Sequence, residues 1–195
     1  LNQYHCTLKE YEICNQVVKN TCDPYDFVPD FKEPIFDTKR LKIVYIPSTV
    51  RKNNKYYDKG YELTHSILTK IRSKYNNLVN VVIKHGIPYR QSVLEKVDAH
   101  IVIDECVTGS FHKTSIEGLT FGAVVIAYLS TELEERLKEQ RIPVDNVHVT
   151  KLQEYLEQLL DQGRDHIESR AKANFDTFNR HFGAATVVNE FDSIY

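Results

Sequence analysis

The stretch of this sequence most able to do chemistry runs Gly109-Ser110-Phe111-His112-Lys113-Thr114-Ser115-Ile116-Glu117. It sets a glycine turn, a cation, a hydroxyl and an acid around what reads as a helix start at Lys113. A helix N-terminus offers unpaired N–H groups and the positive end of the backbone dipole. With Lys113 and Thr114 added, such a turn suits a diphosphate or another anionic, nucleotide-like ligand. Further polar groups stand just after short apolar runs: Ser48 and Thr49, His85 and Gly86, Asp104 and Glu105. A basic loop carries Arg51, Lys52, Lys55 and Lys59. Each has a plainer account beside the functional one. Glu117 could do no more than complement the helix dipole. The basic loop could be solvated surface, Asp104 and Glu105 could cap a strand end in water, and His85 and His112 could be structural.

What gathers these groups is the alternation of elements that must carry them. Leu41–Ile46, Leu78–Lys84, His100–Ile103 and Val124–Ile126 are short apolar runs of the kind that form buried parallel strands. Val147–Val149 is expected as a fifth strand, short and near an edge. Leu63, Ile67, Leu68 and Ile71 recur at helical spacing. A second helix is expected from about Pro88, a residue suited to a first helical turn, to Val97. The third covers Lys113 to Phe121 and is closed by Gly122. Thr131 and Glu134 have the spacing of a capping box. Helices at Lys151–Leu160 and Arg164–His181 follow, and a last one starts near Phe182-Gly183. This order predicts an α/β fold, a Rossmann-like, doubly wound parallel sheet of about five to six strands. In such sheets ligands bind outside the carboxyl ends of the strands, so the polar groups named above fall on one rim. Residues 1–40 differ in character. A short helix is suggested by Leu8, Tyr11, Ile13, Val17 and Val18, followed by the proline-, acid- and aromatic-rich Asp23 to Asp30. They are expected to form a connector or N-terminal arm packed on the edge of a domain spanning 41–195.

The totals exclude several classes. At 195 residues, 42% hydrophobic and 27% charged, the chain has the make-up of one globular domain with an arm. A net charge of −2 gives no polyanion-binding surface, so no nucleic acid is expected as a partner. No apolar stretch reaches the roughly 20 residues of a membrane span, and no signal peptide is visible. Cys6, Cys14 and Cys22 recur at regular spacing with His5 nearby, and Cys106 stands apart. Without a CxxC pair they read as reduced thiols of a cytoplasmic protein, not as metal ligands. GxGxxG, GxxxxGK[ST] and GxSxG are all missing, which argues against a dinucleotide enzyme, a P-loop NTPase and an α/β-hydrolase. An Asp-x-Asp metal–phosphate pair is missing too, so no metal is expected. Met is absent, and the chain is expected to begin inside a longer protein.

The run Asp98-Ala99, Ile101-Val102-Ile103-Asp104, Gly109-Ser110-Phe111-His112, Ile116-Glu117-Gly118-Leu119 and Gly122-Ala123-Val124-Val125-Ile126-Ala127 resembles the C-terminal, nucleotide-sugar-binding half of retaining GT-B-fold glycosyltransferases. Glu117 with Gly122 and Val124 to Ile126 matches the second glutamate and following strand of that family's motif, and Phe111 its usual phenylalanine. Asp58-Lys59-Gly60 resembles the family's basic loop and helix start. Gly86 to Leu94 echoes the segment after its second strand, Phe182 to Tyr195 its closing helix, and Asp23 to Asp30 its entering connector. The similarity covers roughly Cys22 to Tyr195. It departs at Gly109, which stands where the family has its first glutamate.

The resemblance implies a donor site for a nucleoside diphosphate sugar, with no further cofactor and no metal. Lys59, Arg51 and the helix start at Lys113-Thr114 would hold the diphosphate, with Ser48, Gly109, Phe111 and His112 beside it. Glu117 would bind the ribose hydroxyls, and Gly86-Ile87 would lie against the base. The implied reaction is metal-independent sugar transfer, and no single catalytic residue stands out. An acceptor-binding domain or subunit is the implied partner. The protein is expected to be cytoplasmic, with any peripheral membrane attachment made through that missing domain. Two other readings stay open: a non-catalytic nucleotide-binding or partner module of a two-chain assembly, and a GT-B epimerase. The last needs acids in the cleft, for which Asp104 and Glu105 are the candidates.

Overall fold

Runs rich in Val and Ile favour extended backbone, and where both faces are apolar the strand must be covered on both sides. The computed structural model describes residues 22–47, 60–139, 141–183, 186, 188 and 189. It forms strands β1 (Leu41–Tyr45), β2 (Val79–Ile83), β3 (Ile101–Ile103), β4 (Val124–Ala127) and β5 (Val144–Asn146). Helices α1 (Tyr61–Lys74), α2 (Tyr89–Leu94), α3 (Lys113–Thr120), α4 (Thr131–Glu139), α5 (Val149–Asp161) and α6 (Arg164–Phe182) alternate with or follow them. All pairings are parallel, in the spatial order β2-β1-β3-β4-β5. The register puts Ile43 beside Ile101 and Ile101 beside Val124. The α/β doubly wound sheet is therefore as expected.

Side chains alternate across the pleat, and the strands divide their apolar residues between two cores. Ile43, Tyr45, Ile101, Ile103 and Ile126 face Leu68 and Ile71 of α1 and Leu152, Leu156 and Leu159 of α5. Val44, Val102, Val125 and Ala127 face Val93 of α2, Ile116 and Leu119 of α3, and Leu137 of α4. Phe178 and Phe182 of α6 close this second core. The segment 22–40 lies over the same side. Asp23 caps a short 3-10 turn, Pro24–Asp26, and Phe31 meets Phe121 and Phe175 edge-on at 5.2 and 5.8 Å.

Three boundaries differ from expectation. The edge strand is Val144–Asn146, paired with β4 through Val125 and Val144, not Val147–Val149; His148 instead caps α5, accepting from Thr150 N–H. The start of α4 is capped by Ser130, whose Oγ accepts from Leu133 N–H at 3.4 Å, and not by Thr131. Helix α2 is only one and a half turns long, Pro88 being its N-cap. The suggested N-terminal helix around residues 8–18 lies outside the described residues.

Candidate functional site

In this strand order the chain direction of the connections reverses between β1 and β3, and the crevice left there is the usual ligand position. A cleft of about 190 Å³ opens at that point. Tyr45, Ile46 and Pro47 line it from the end of β1, Ile103, Asp104 and Glu105 from the end of β3, and His112, Lys113 and Thr114 from the start of α3. Thus two of the residue groups singled out by sequence, Asp104-Glu105 and the start of α3, meet in one place. As the first residues of α3, Lys113 and Thr114 present N–H groups that no intrahelical carbonyl can reach.

The two acids of the rim are held by backbone. Asp104 is 7% exposed; its Oδ2 accepts from Ser115 N–H at 3.2 Å and from Ser115 Oγ–H at 2.6 Å. It caps α3 from the neighbouring strand and fixes the helix start over the cleft. Its Oδ1 lies 3.6 Å from His112 Nδ1. Glu105 builds the following turn: Oε1 accepts from Val107 N–H and Thr108 N–H, both at 2.5 Å, and Oε2 from the Thr108 hydroxyl. Asp104 Oδ2 and both oxygens of Glu105 thus shape the rim, while Asp104 Oδ1 stays beside His112 at the cleft.

Lys113 sits with its Nζ 4.1 Å from the centre of the Tyr89 ring. A hydrogen bond to the Tyr89 phenol raises the Lys113 pKa, so the ammonium is kept charged at the cleft mouth. Glu117 lies one turn further into α3. It is 3% exposed, and its Oε2 accepts from Lys96 Nζ at 2.9 Å. The carboxylate therefore stands one turn behind the residues that line the cleft. Gly109 takes φ +78°, its carbonyl accepts from Ser130 N–H at 3.0 Å, and an added Cβ would meet that same nitrogen at 3.0 Å. A glutamate here would need the backbone to move; the departure from the family motif is built into the turn.

Of the remaining expected site residues, the described ones lie outside the set that lines the cleft. Phe111 is 8% exposed and belongs to the second core. Gly86 is exposed and Ile87 is partly buried against that core, both beyond β2. Ser48, Arg51 and Lys59, with Thr49, Lys52 and Lys55, lie outside the described residues. Gly60, which follows Lys59, opens α1 in the left-handed conformation with φ 69°. Its α-carbon packs so closely on Val107 that a Cβ would overlap the valine methyl, which brings the start of α1 to the turn built by Glu105. Sequence reasoning missed Lys96, Ser92, Tyr89 and Ser115. The Ser115 contact had a detectable signal, a hydroxyl at the third position of a helix; Lys96 had none. Among the described residues, no group of three or more His, Cys, Asp and Glu is placed to hold a metal ion, and no helix is long and apolar enough to cross a membrane.

Neither a protein-family model nor a curated protein matches this sequence. Solved structures do match. A glycosyltransferase from Rickettsia africae ESF-5 superposes with a TM-score of 0.60 at 14% identity, over 92% of this chain and 56% of its own. The GtfA/B complex gives 0.57 at 10% identity, over 84% of this chain and 36% of its own. A mutant of S. aureus TarM, solved with fondaparinux, alpha-GlcNAc-glycerol and UDP, gives 0.54 at 10% identity over 92% and 38%. The chain thus spans between about a third and just over half of the lengths of these structures, and it shares the fold of one domain of GT-B glycosyltransferases.

Proposed function

We propose that this domain binds the nucleoside diphosphate sugar of a GT-B glycosyltransferase. The observation that carries the reading is the cleft itself. It lies at the strand ends where a parallel sheet of this order takes ligands, and the start of α3, Lys113 and Thr114 face into it. In this reading the free N–H groups of α3 and the Lys113 ammonium neutralise the departing diphosphate, so catalysis is mainly electrostatic stabilisation of the leaving group. His112 adds a third donor. Arg51 and Lys59 supply further positive charge from the basic loop, with Ser48 at the end of β1. Glu117 fixes the ribose, and Gly86 and Ile87 flank the base. Acceptor binding belongs to another domain or subunit. The GtfA/B structure is that of a complex, and the same need for a second chain would make this domain a nucleotide-holding module.

Isothermal calorimetry with UDP, GDP, ADP and CDP, each with and without EDTA, tests the reading. One of these should bind, and equally well with chelator present. Each charge-assisted hydrogen bond from ribose to Glu117 is worth about 1.5–3 kcal/mol. Glu117→Gln should therefore weaken binding roughly 10- to 150-fold, at about 1.4 kcal/mol per decade. Binding that vanishes in EDTA, or a Glu117→Gln protein that melts lower but binds every nucleotide as before, would count against it.

A further inference from the structure

Lys96 is 0% exposed. Its ammonium donates to Ser92 O at 3.0 Å, to Ser92 Oγ at 2.9 Å and to Glu117 Oε2 at 2.9 Å, which uses all the protons an ammonium has. Lysine is almost never buried this completely. Two charges taken out of water recover little more than they lose, and a well-packed apolar pair of similar volume is often as stable or more so. Packing alone therefore does not account for the pair, and its location offers a better reason. Glu117 stands one turn behind the cleft-lining residues of α3. It lies close enough to Cys22 and Tyr89 for its charge to raise the pKa of each, though burial is the larger cause in both. Among the described residues, no donor reaches its other oxygen, Oε1.

We propose that Lys96 is a positioning residue for nucleotide binding. It grips Oε2 of Glu117, turns Oε1 toward the ribose, and offsets a negative charge that would otherwise repel the diphosphate at the neighbouring helix start. This rests on the donor-site reading above, in which Glu117 contacts the sugar of the nucleotide. A carboxylate buried without a counter-charge takes up a proton or moves to water, and either change removes the charged acceptor that distinguishes ribose from deoxyribose. Ser92 completes the arrangement by holding Lys96 from the α2 side.

The test compares the full chain with Lys96→Met, Lys96→Arg, Glu117→Gln and the Lys96→Met/Glu117→Gln double variant. Each is measured for affinity to the best-binding nucleoside diphosphate of the four and to its 2′-deoxy form, and for thermal unfolding. Lys96→Met should weaken ribonucleotide binding about 10- to 100-fold, by the loss of one charged contact, and bring the ribose-to-deoxyribose ratio near one. Lys96→Arg keeps the charge and should restore most of that ratio. The double variant should bind no worse than Glu117→Gln alone and melt higher than Lys96→Met, because it leaves no lone buried charge. If Lys96→Met does not fold, the double variant and Lys96→Arg decide the matter. Unchanged discrimination in Lys96→Met, strictly additive losses in the double variant, or lost discrimination in a folded Lys96→Arg each overturn the inference while leaving the donor site standing. A wild-type chain that binds none of the four nucleotides overturns both.

Discussion

His100 sits at the amino ends of the strands, opposite the cleft, and is 0% exposed. Its Nδ1 accepts from Lys42 N–H at 3.1 Å, so the ring proton is on Nε2, which faces Glu168 Oε1 at 3.4 Å. Phe36 lies against the ring at 4.8 Å. Burial lowers the His100 pKa below its ordinary 6.5; nearby Arg164 lowers it further, and Glu168 and Asp98 act the other way without reversing it. A depressed histidine takes up its proton more readily unfolded than folded. Its contribution is therefore complete above about pH 6.5 and is lost as pH falls through the lower folded value. Protonation would also turn Nδ1 into a donor facing the Lys42 N–H. We expect the melting temperature to fall between pH 7 and pH 5, and to fall less steeply in His100→Gln, whose side chain does not titrate. Equal slopes in the two proteins would show that His100 does not contribute.

Helix α3 is short, and its placement over the cleft depends on a carboxylate from another element. Removing an N-cap costs about 0.5–2 kcal/mol, and hydrogen bonds to charged groups about 1.5–3. Asp104→Ala should therefore lower stability in urea by about 1–3 kcal/mol, and nucleotide affinity with it as the helix start loosens. An unchanged midpoint would mean that α3 is held by its core contacts alone. This scale also shows what could be read from sequence. The β-branched runs of β1, β3 and β4 and the amphipathic spacing of α1 state their structure locally, because burial on both faces or one dictates composition. Val147–Val149 looked more like a strand than Val144–Asn146, yet the latter pairs with β4, since an edge strand is chosen by its neighbour's register and not by its own hydrophobicity. At the site, the start of α3 was legible from its local signals. The Lys96–Glu117 contact was not, because it joins residues on different elements whose meeting only the tertiary fold determines.

At the scale of the whole molecule, the prediction is one of partial function. In the donor-site reading proposed above, sugar transfer takes place between two domains, and these 195 residues span from 36% to 56% of the matched chains. A polypeptide of this sequence should bind nucleotide yet transfer no sugar. Product formation from UDP-, GDP- or ADP-sugars with the purified polypeptide alone, followed by chromatography of the acceptor, would overturn that. The strand order has a further effect on how the molecule comes into being. β1 pairs with β2 and β3, whose partner residues lie tens of positions downstream, and among the described residues every strand pairing is parallel. Contacts so distant in sequence close slowly. At roughly 5–20 residues per second during synthesis, the apolar strand β1 waits about 4–16 seconds before β4 emerges and both faces of the central sheet can be covered. During that interval Ile43, Val44 and Tyr45 are open to the wrong neighbours, and the nascent chain is then most in need of chaperones.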